Sequence, residues 1–237
     1  MEKVQYCLWR NASVTEEAFR SGMLAELVPA LQGLTSVRGV RLALVDAAVA
    51  PAVDKRMASS GDLPDALLSV WVDDAWRRPE PAQLVPGLVA RSHAWLMAEA
   101  EPIVNDSQPP AADGRVPGFC QVALLQRPPR LTVAEWLGIW KGSHWKVAIE
   151  TQSTFGYRQN LVVCALSEGA PALDAIVEED FPAEAMSSAH SFYAAQDDAT
   201  LNAHQTAMME SCARFIDFDK IDVVPMSAYW FSPAVGP

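Results

Sequence analysis

The sequence predicts an α+β chain made of two consecutive βαββαβ units whose sheets pack face to face as a barrel. Three observations carry that expectation. Strand and helix patterns follow the order strand–helix–strand–strand–helix–strand, and the order then restarts. Residues 105–118, with Pro109, Pro110, Pro117, Gly114 and Gly118, read as a linker between the two runs. The halves also align at an offset of 117 residues, which sets Thr15 on Thr132, Phe19 on Trp136, Met23 on Trp140 and Arg41 on Arg158.

In the first unit, residues 1–110, Val4 to Trp9 is rich in β-formers and reads as a strand. Ser13 or Thr15 suits a helix N-cap, with Glu16 and Glu17 in the first turn. Phe19, Met23, Leu27 and Leu31 then recur every fourth residue on one helix face, and Gly33 closes the helix. Val37 to Val45 and Leu67 to Val72 read as strands around a long loop at 47–64. Helix formers from Gln83 to Ala100 predict a second helix, with a fourth strand starting at Ile103.

The second unit, residues 119–237, repeats this ferredoxin-like order. Phe119 to Gln126 is a strand, and Thr132 with Glu135 makes a capping box. Trp136, Trp140 and His144 share the helix face that follows. Tyr157 to Leu166 and Asp174 to Phe181 are the next strands. Leu201, Met208, Cys212 and Phe215 stripe a second helix, and Ile221 to Met226 is the last strand, followed by Tyr229-Trp230-Phe231.

Of the 237 residues, 50% are hydrophobic and 20% charged, a globular balance. The net charge of -11 and the lack of a basic patch argue against nucleic acid and anionic membranes as partners. No apolar run is long enough to span a bilayer and the start shows no signal-peptide pattern, so a soluble cytoplasmic protein is expected. Cys7, Cys120, Cys164 and Cys212 make no close pair, which speaks for free, buried thiols rather than a metal site. No phosphate-binding glycine loop or hydrolase elbow occurs, and no cofactor is expected.

Chemistry concentrates in the second unit. Leu27 of the first unit corresponds to His144, which lies among Trp136, Trp140 and Trp145. An imidazole there can act as general acid or base, with indoles lowering its pKa and stacking on a planar substrate. A packed core histidine is the plain competing reading. Tyr157-Arg158-Gln159-Asn160 opens the next strand, so Tyr157 and Gln159 share one face and Arg158 and Asn160 the other. Tyr157 can donate to a developing oxyanion and Arg158 can hold a carboxylate or polarise a carbonyl, against the plain reading of a solvated strand end. His93, His190 and His204 have no neighbours that suggest chemistry, and Glu178-Glu179-Asp180 reads as a solvated acidic strand end.

A capped helix with Trp140 and His144 in a W-x-x-x-H pattern, followed by a strand opening Tyr157-Arg158-Gln159-Asn160, resembles the EthD domain family over about residues 119–231. The first half matches only as a degenerate copy. The resemblance implies a dimeric α+β barrel, with the two fused copies forming the pair inside one chain; further pairing into a homodimer stays open. It also implies a small apolar or aromatic ligand, with Trp140, His144, Tyr157 and Asn160 as the positions that carry over.

The leading expectation is a cofactor-free enzyme of the lyase, cyclase or dehydratase type acting on an apolar aromatic or carbonyl metabolite. His144 and Tyr157 would be catalytic, and Trp136, Trp140, Arg158 and Asn160 would bind substrate. The alternatives are a non-catalytic binding protein for a hydrophobic molecule and, more remotely, a barrel holding haem through a histidine.

Overall fold

The computed structural model describes residues 1–231, so the expected end of the second unit at 237 lies outside the described residues. β1 (Glu2–Arg10), β2 (Val37–Leu44), β4 (Ala66–Val72) and β5 (Val89–Ile103) come from the first half. β6 (Phe119–Leu125), β7 (Gly156–Ala165), β8 (Ala175–Phe181) and β9 (Asp222–Phe231) come from the second, and the two-residue β3 (Met57–Ala58) pairs with β9. They run in the order β2-β4-β1-β5-β7-β8-β6-β9, and β9 pairs back onto β2 through Leu42↔Tyr229. The result is a closed, eight-stranded antiparallel barrel with helices outside it. Closure removes the exposed sheet edges that either half alone would carry. Within each half the spatial order is second, third, first and fourth strand.

One helical rod packs on each half. The first is α1 (Glu16–Gly22), a π-helical turn (Met23–Leu27) and α2 (Val28–Gln32); the second is α4 (Val133–Ile139), a π-helical turn (Trp140–His144) and α5 (Trp145–Thr151). Thr15 accepts from the Ala18 N–H, and Thr132 and Glu135 cap each other reciprocally. The two π turns fall 117 residues apart, as do the two threonine caps. A π turn adds one residue to the helical ladder and re-aims the side chains beyond it.

The second crossovers differ. In the first half it shrinks to a 3₁₀ turn at Ala75–Arg77 and the four-residue α3 (Pro81–Leu84). In the second it holds α6 (Ala189–Phe192) and α7 (Asp198–Ala213), capped by Asp197.

Two expectations are corrected. Residues 89–103 form the fifteen-residue β5, not a helix. Ala, Leu, Met and Glu favour helix locally, but the segment pairs with β1 on one side and β7 on the other, joining the halves, and pairing overrides propensity. The loop at 47–64 contains a 3₁₀ helix at Ala47–Lys55, capped by Asp46. The stretch 105–118 is docked on the barrel: Val116 is buried, and Arg115 donates to Ser227 Oγ at 3.0 Å. Gly118 sits at φ 75°, where an added Cβ would come within 1.9 Å of the Phe181 carbonyl oxygen.

Strand alternation divides the core in two. Val4, Tyr6, Leu8, Val40, Leu42, Leu68 and Val70 face the first rod with Phe19, Met23 and Leu27. Cys7, Ala43, Leu67, Trp95, Cys120, Val122, Ile176 and Val224 fill part of the barrel interior. The rest of the interior is ionic. Glu178 accepts from Arg41 Nε at 2.8 Å, Gln5 Nε2 at 2.9 Å and Asn160 Nδ2 at 3.2 Å, and it pairs with Lys3 at 3.4 Å. Asp180 bridges Arg41 at 2.6 Å and Arg158 at 3.1 Å. Each of these interior charges therefore has an opposite partner, which is what makes their desolvation tolerable.

Candidate functional site

A cavity of about 310 Å³ lies between the barrel wall of the second half and its helices. Its floor is the outer face of β6, β7, β8 and β9, with Ala123, Val177 and Val223; its roof is α7, with Met208 and Cys212. Phe192, Phe215 and Ile221 close the sides, and Lys55 stands at the mouth over the Phe192 ring at 4.3 Å. The volume suits a small organic ligand, and the walls are mostly apolar.

His144 enters from the end of the π turn. It is 7% exposed, and its ring lies 4.6 Å from Phe215. Its Nδ1 is hydrogen-bonded to Ser211 Oγ on α7 at 2.9 Å, leaving Nε2 as the ring nitrogen not engaged there. Burial, and then the nearby Arg214 guanidinium, hold its pKa down at about 4, so the ring is neutral near pH 7. If Nδ1–H donates to Ser211, Nε2 offers a lone pair; if Ser211 donates, Nε2 carries the proton.

Tyr157 comes from β7. Its hydroxyl accepts from Trp140 Nε1 at 3.3 Å and from Gln159 Nε2 at 3.2 Å. Both lone pairs are then used, and the remaining valence is the phenolic O–H, which has no acceptor among the described residues and can donate to a ligand. Burial raises its pKa well above the ordinary value, so that proton stays in place. Trp140 thus lines the cavity and also orients its donor.

Trp136, Arg158 and Asn160, expected to touch the ligand, do not line this cavity. Trp136 is buried beneath it and donates from Nε1 to the Phe215 carbonyl at 3.0 Å. Arg158 and Asn160 alternate with Tyr157 along β7, so they point into the barrel interior and join the Asp180 and Glu178 network. The π turn also replaces the simple four-residue face on which the helix positions were placed together.

The acidic run at 178–180 is not a solvated strand end. All three residues are buried. β8 sits between β6 and β7, and alternation sends Glu178 and Asp180 inward but Glu179 outward to the cavity. Glu179 is 8% exposed, and among the described residues no cation pairs with it. Desolvation lifts its pKa from 4.5 to about 7, with the Asp180 charge adding to the rise and a hydrogen bond from Gln121 opposing it. Register places Gln121, Glu179 and Tyr157 directly opposite one another on three adjacent strands. The corresponding row of the first half is Val4, Val70 and Val40, all buried.

Elsewhere, His93 packs on Trp9 and Trp95 at another barrel opening, His190 pairs with Asp198, and His204 Nδ1 bonds the Tyr193 carbonyl at 2.6 Å. Cys7 and Cys120 are buried, Cys164 and Cys212 partly so, and all four are free thiols. Among the described residues no helix is long and apolar enough to cross a membrane.

No family model matches the chain, and no curated protein matches it. Among solved structures the chain is similar to an anthrone oxidase-like protein, with a TM-score of 0.60, 8% identity and coverage of 98% of this chain and 93% of that one. It is also similar to a candidate monooxygenase from Fusobacterium nucleatum subsp. nucleatum, with a TM-score of 0.50, 10% identity and coverage of 100% and 95%. At such identities the likeness shows the fold alone, that of the dimeric α+β barrels.

Proposed function

We propose that this chain is an enzyme of the EthD-like kind that binds a small, apolar, aromatic or carbonyl-bearing molecule in the second-half cavity and transforms it by proton transfer. In this reading the two halves are copies of one ferredoxin-like unit, fused where a dimeric barrel uses two subunits. The first copy has lost its helical roof and serves to complete the barrel. The observation that carries the reading is the pair of polar groups set in an apolar cavity: a neutral imidazole with one nitrogen held by Ser211, and a phenol whose proton is free to donate. The imidazole moves a proton as general acid or base, and the Tyr157 O–H stabilises charge developing on a substrate oxygen. Dehydration, cyclisation and decarboxylation draw on that combination. The names of the two structural neighbours agree with small-molecule handling.

A second reading, a binding protein without chemistry, is favoured by one observation: an imidazole with a pKa of about 4 is a weak base and also suits a simple hydrogen bond to a neutral ligand. Native mass spectrometry of the freshly purified chain, with extraction and an absorbance scan, tests both. A co-purifying aromatic or carbonyl compound that the protein turns over, with turnover abolished in a folded His144→Ala variant, supports the enzyme. The same compound recovered unchanged after long incubation favours the binding protein, and a Soret band would replace both readings with haem.

A further inference from the structure

Resting on that reading of the cavity but moving the proton-accepting role from His144, we infer that Glu179 is the base that takes the substrate proton, with Tyr157 holding the oxyanion that results, and that the substrate class is neutral benzylic ketones, whose acidic C–H lies between an aromatic ring and the carbonyl. The first half supplies an internal standard. There the row beneath the helical rod is Val4–Val70–Val40, which shows that this barrel position can be filled by apolar packing alone. In the second half the same row is Gln121–Glu179–Tyr157. Replacing a buried valine by a carboxyl without a cationic partner costs stability. Its neighbours Glu178 and Asp180 are compensated by Lys3, Arg41 and Arg158 on the other face, whereas among the described residues Glu179 has a hydrogen bond from Gln121 and no cation.

The row places two complementary groups side by side. Directly opposed residues on antiparallel strands hold their Cβ atoms about 4.5–5.5 Å apart. Both line the cavity, so one small ligand can meet the Glu179 carboxylate and the Tyr157 O–H together. In the step, a Glu179 oxygen forms an O–H bond with the hydrogen alpha to the carbonyl as the C–H bond breaks. That electron pair forms the C=C bond, and the carbonyl π pair moves onto oxygen, giving an enolate that accepts from Tyr157. Return of a proton from Glu179 to carbon restores both partners. A base that ionises near neutral pH is better matched to this work than an imidazole held neutral down to about pH 4. Titratable and charged groups around Glu179 are Tyr157, Asp180, His144, Tyr193 and Cys212, with Asp54 and Lys55 at the mouth.

The test is hydrogen–deuterium exchange at C1 of 2-tetralone in D₂O, followed by proton NMR, with binding read in parallel from tryptophan quenching. Exchange above the buffer rate, rising through about pH 7, is expected for the wild type. Glu179→Gln should lower it at least about 100-fold with binding kept, and Tyr157→Phe by about 100-fold. Full exchange in Glu179→Gln, lost instead in His144→Ala, would overturn the inference and leave the cavity reading standing. Binding without exchange in the wild type would overturn the inference and favour the non-catalytic cavity. No binding would overturn inference and reading together.

Discussion

Glu179→Gln should make the protein more stable, and increasingly so as pH rises. The folded state holds the Glu179 pKa near 7, above its ordinary 4.5. Between those values the folded chain keeps a proton that the unfolded chain has released, so stability falls with rising pH. The protonated carboxyl's advantage is complete below about pH 4.5 and gone once pH has risen through about 7. At about 1.4 kcal/mol per pH unit of displacement, ionising Glu179 in place costs about 3 kcal/mol. Glutamine keeps the shape and the polar contact but has nothing to ionise. Urea denaturation of both proteins at pH 5, 6, 7 and 8 gives the difference curve, in which His144 and Glu178 cancel because both proteins share them. The difference should grow toward about 3 kcal/mol in favour of Glu179→Gln. Parallel stability curves across this range would refute the claim that the carboxyl is buried without a cation.

Other predictions follow the same physics. Glu178→Ala removes one carboxylate from buried Lys3 and Arg41, which keep Glu99 and Asp180, and takes the acceptor from Gln5, so it should cost about 1–3 kcal/mol in denaturant unfolding. In the wild type Glu178 is held at about 2, mainly by Lys3 and Arg41 acting against its desolvation, so its contribution, present above 4.5, should be lost as pH falls through about 2. The His144 ring should titrate by NMR with a midpoint near 4, and a midpoint near 6.5 would show an open, solvated site. Gly118→Ala should destabilise the chain by about 1–3 kcal/mol in thermal or urea unfolding, because residue 118 needs a positive φ and meets the Phe181 carbonyl.

Much of the barrel was legible in the sequence because its elements are locally encoded. Thr132 and Glu135 cap a helix by their own chemistry, and Val4 to Trp9 is rich in β-formers. β5 was not legible, since its Ala-, Leu- and Met-rich stretch becomes a strand only when both halves pair with it. His144 stood out because the other half has Leu27 at that position, and Tyr157 because it opens a run of four polar residues ahead of an apolar strand. Glu179 was masked by its flanking acids: three carboxyls in a row look solvated until the strand order places β8 between β6 and β7. Reading Ala175, Val177, Glu179 and Phe181 as one strand face would have exposed it as a lone carboxyl on an apolar surface. Arg158 and Asn160 were grouped with Tyr157 by adjacency, although alternation already sent them to the opposite face.

The central claim, that the second-half cavity is a ligand site, is tested most directly by following the tryptophan indole N–H resonances during titration with 2-tetralone, in the wild type and in Ala123→Leu, where a larger side chain fills the cavity floor. The account predicts a saturable shift of the Trp140 Nε1–H in the wild type that is lost in the filled variant. Shifts confined to Trp9 and Trp95 at the other barrel opening, or no shift at all, would contradict it.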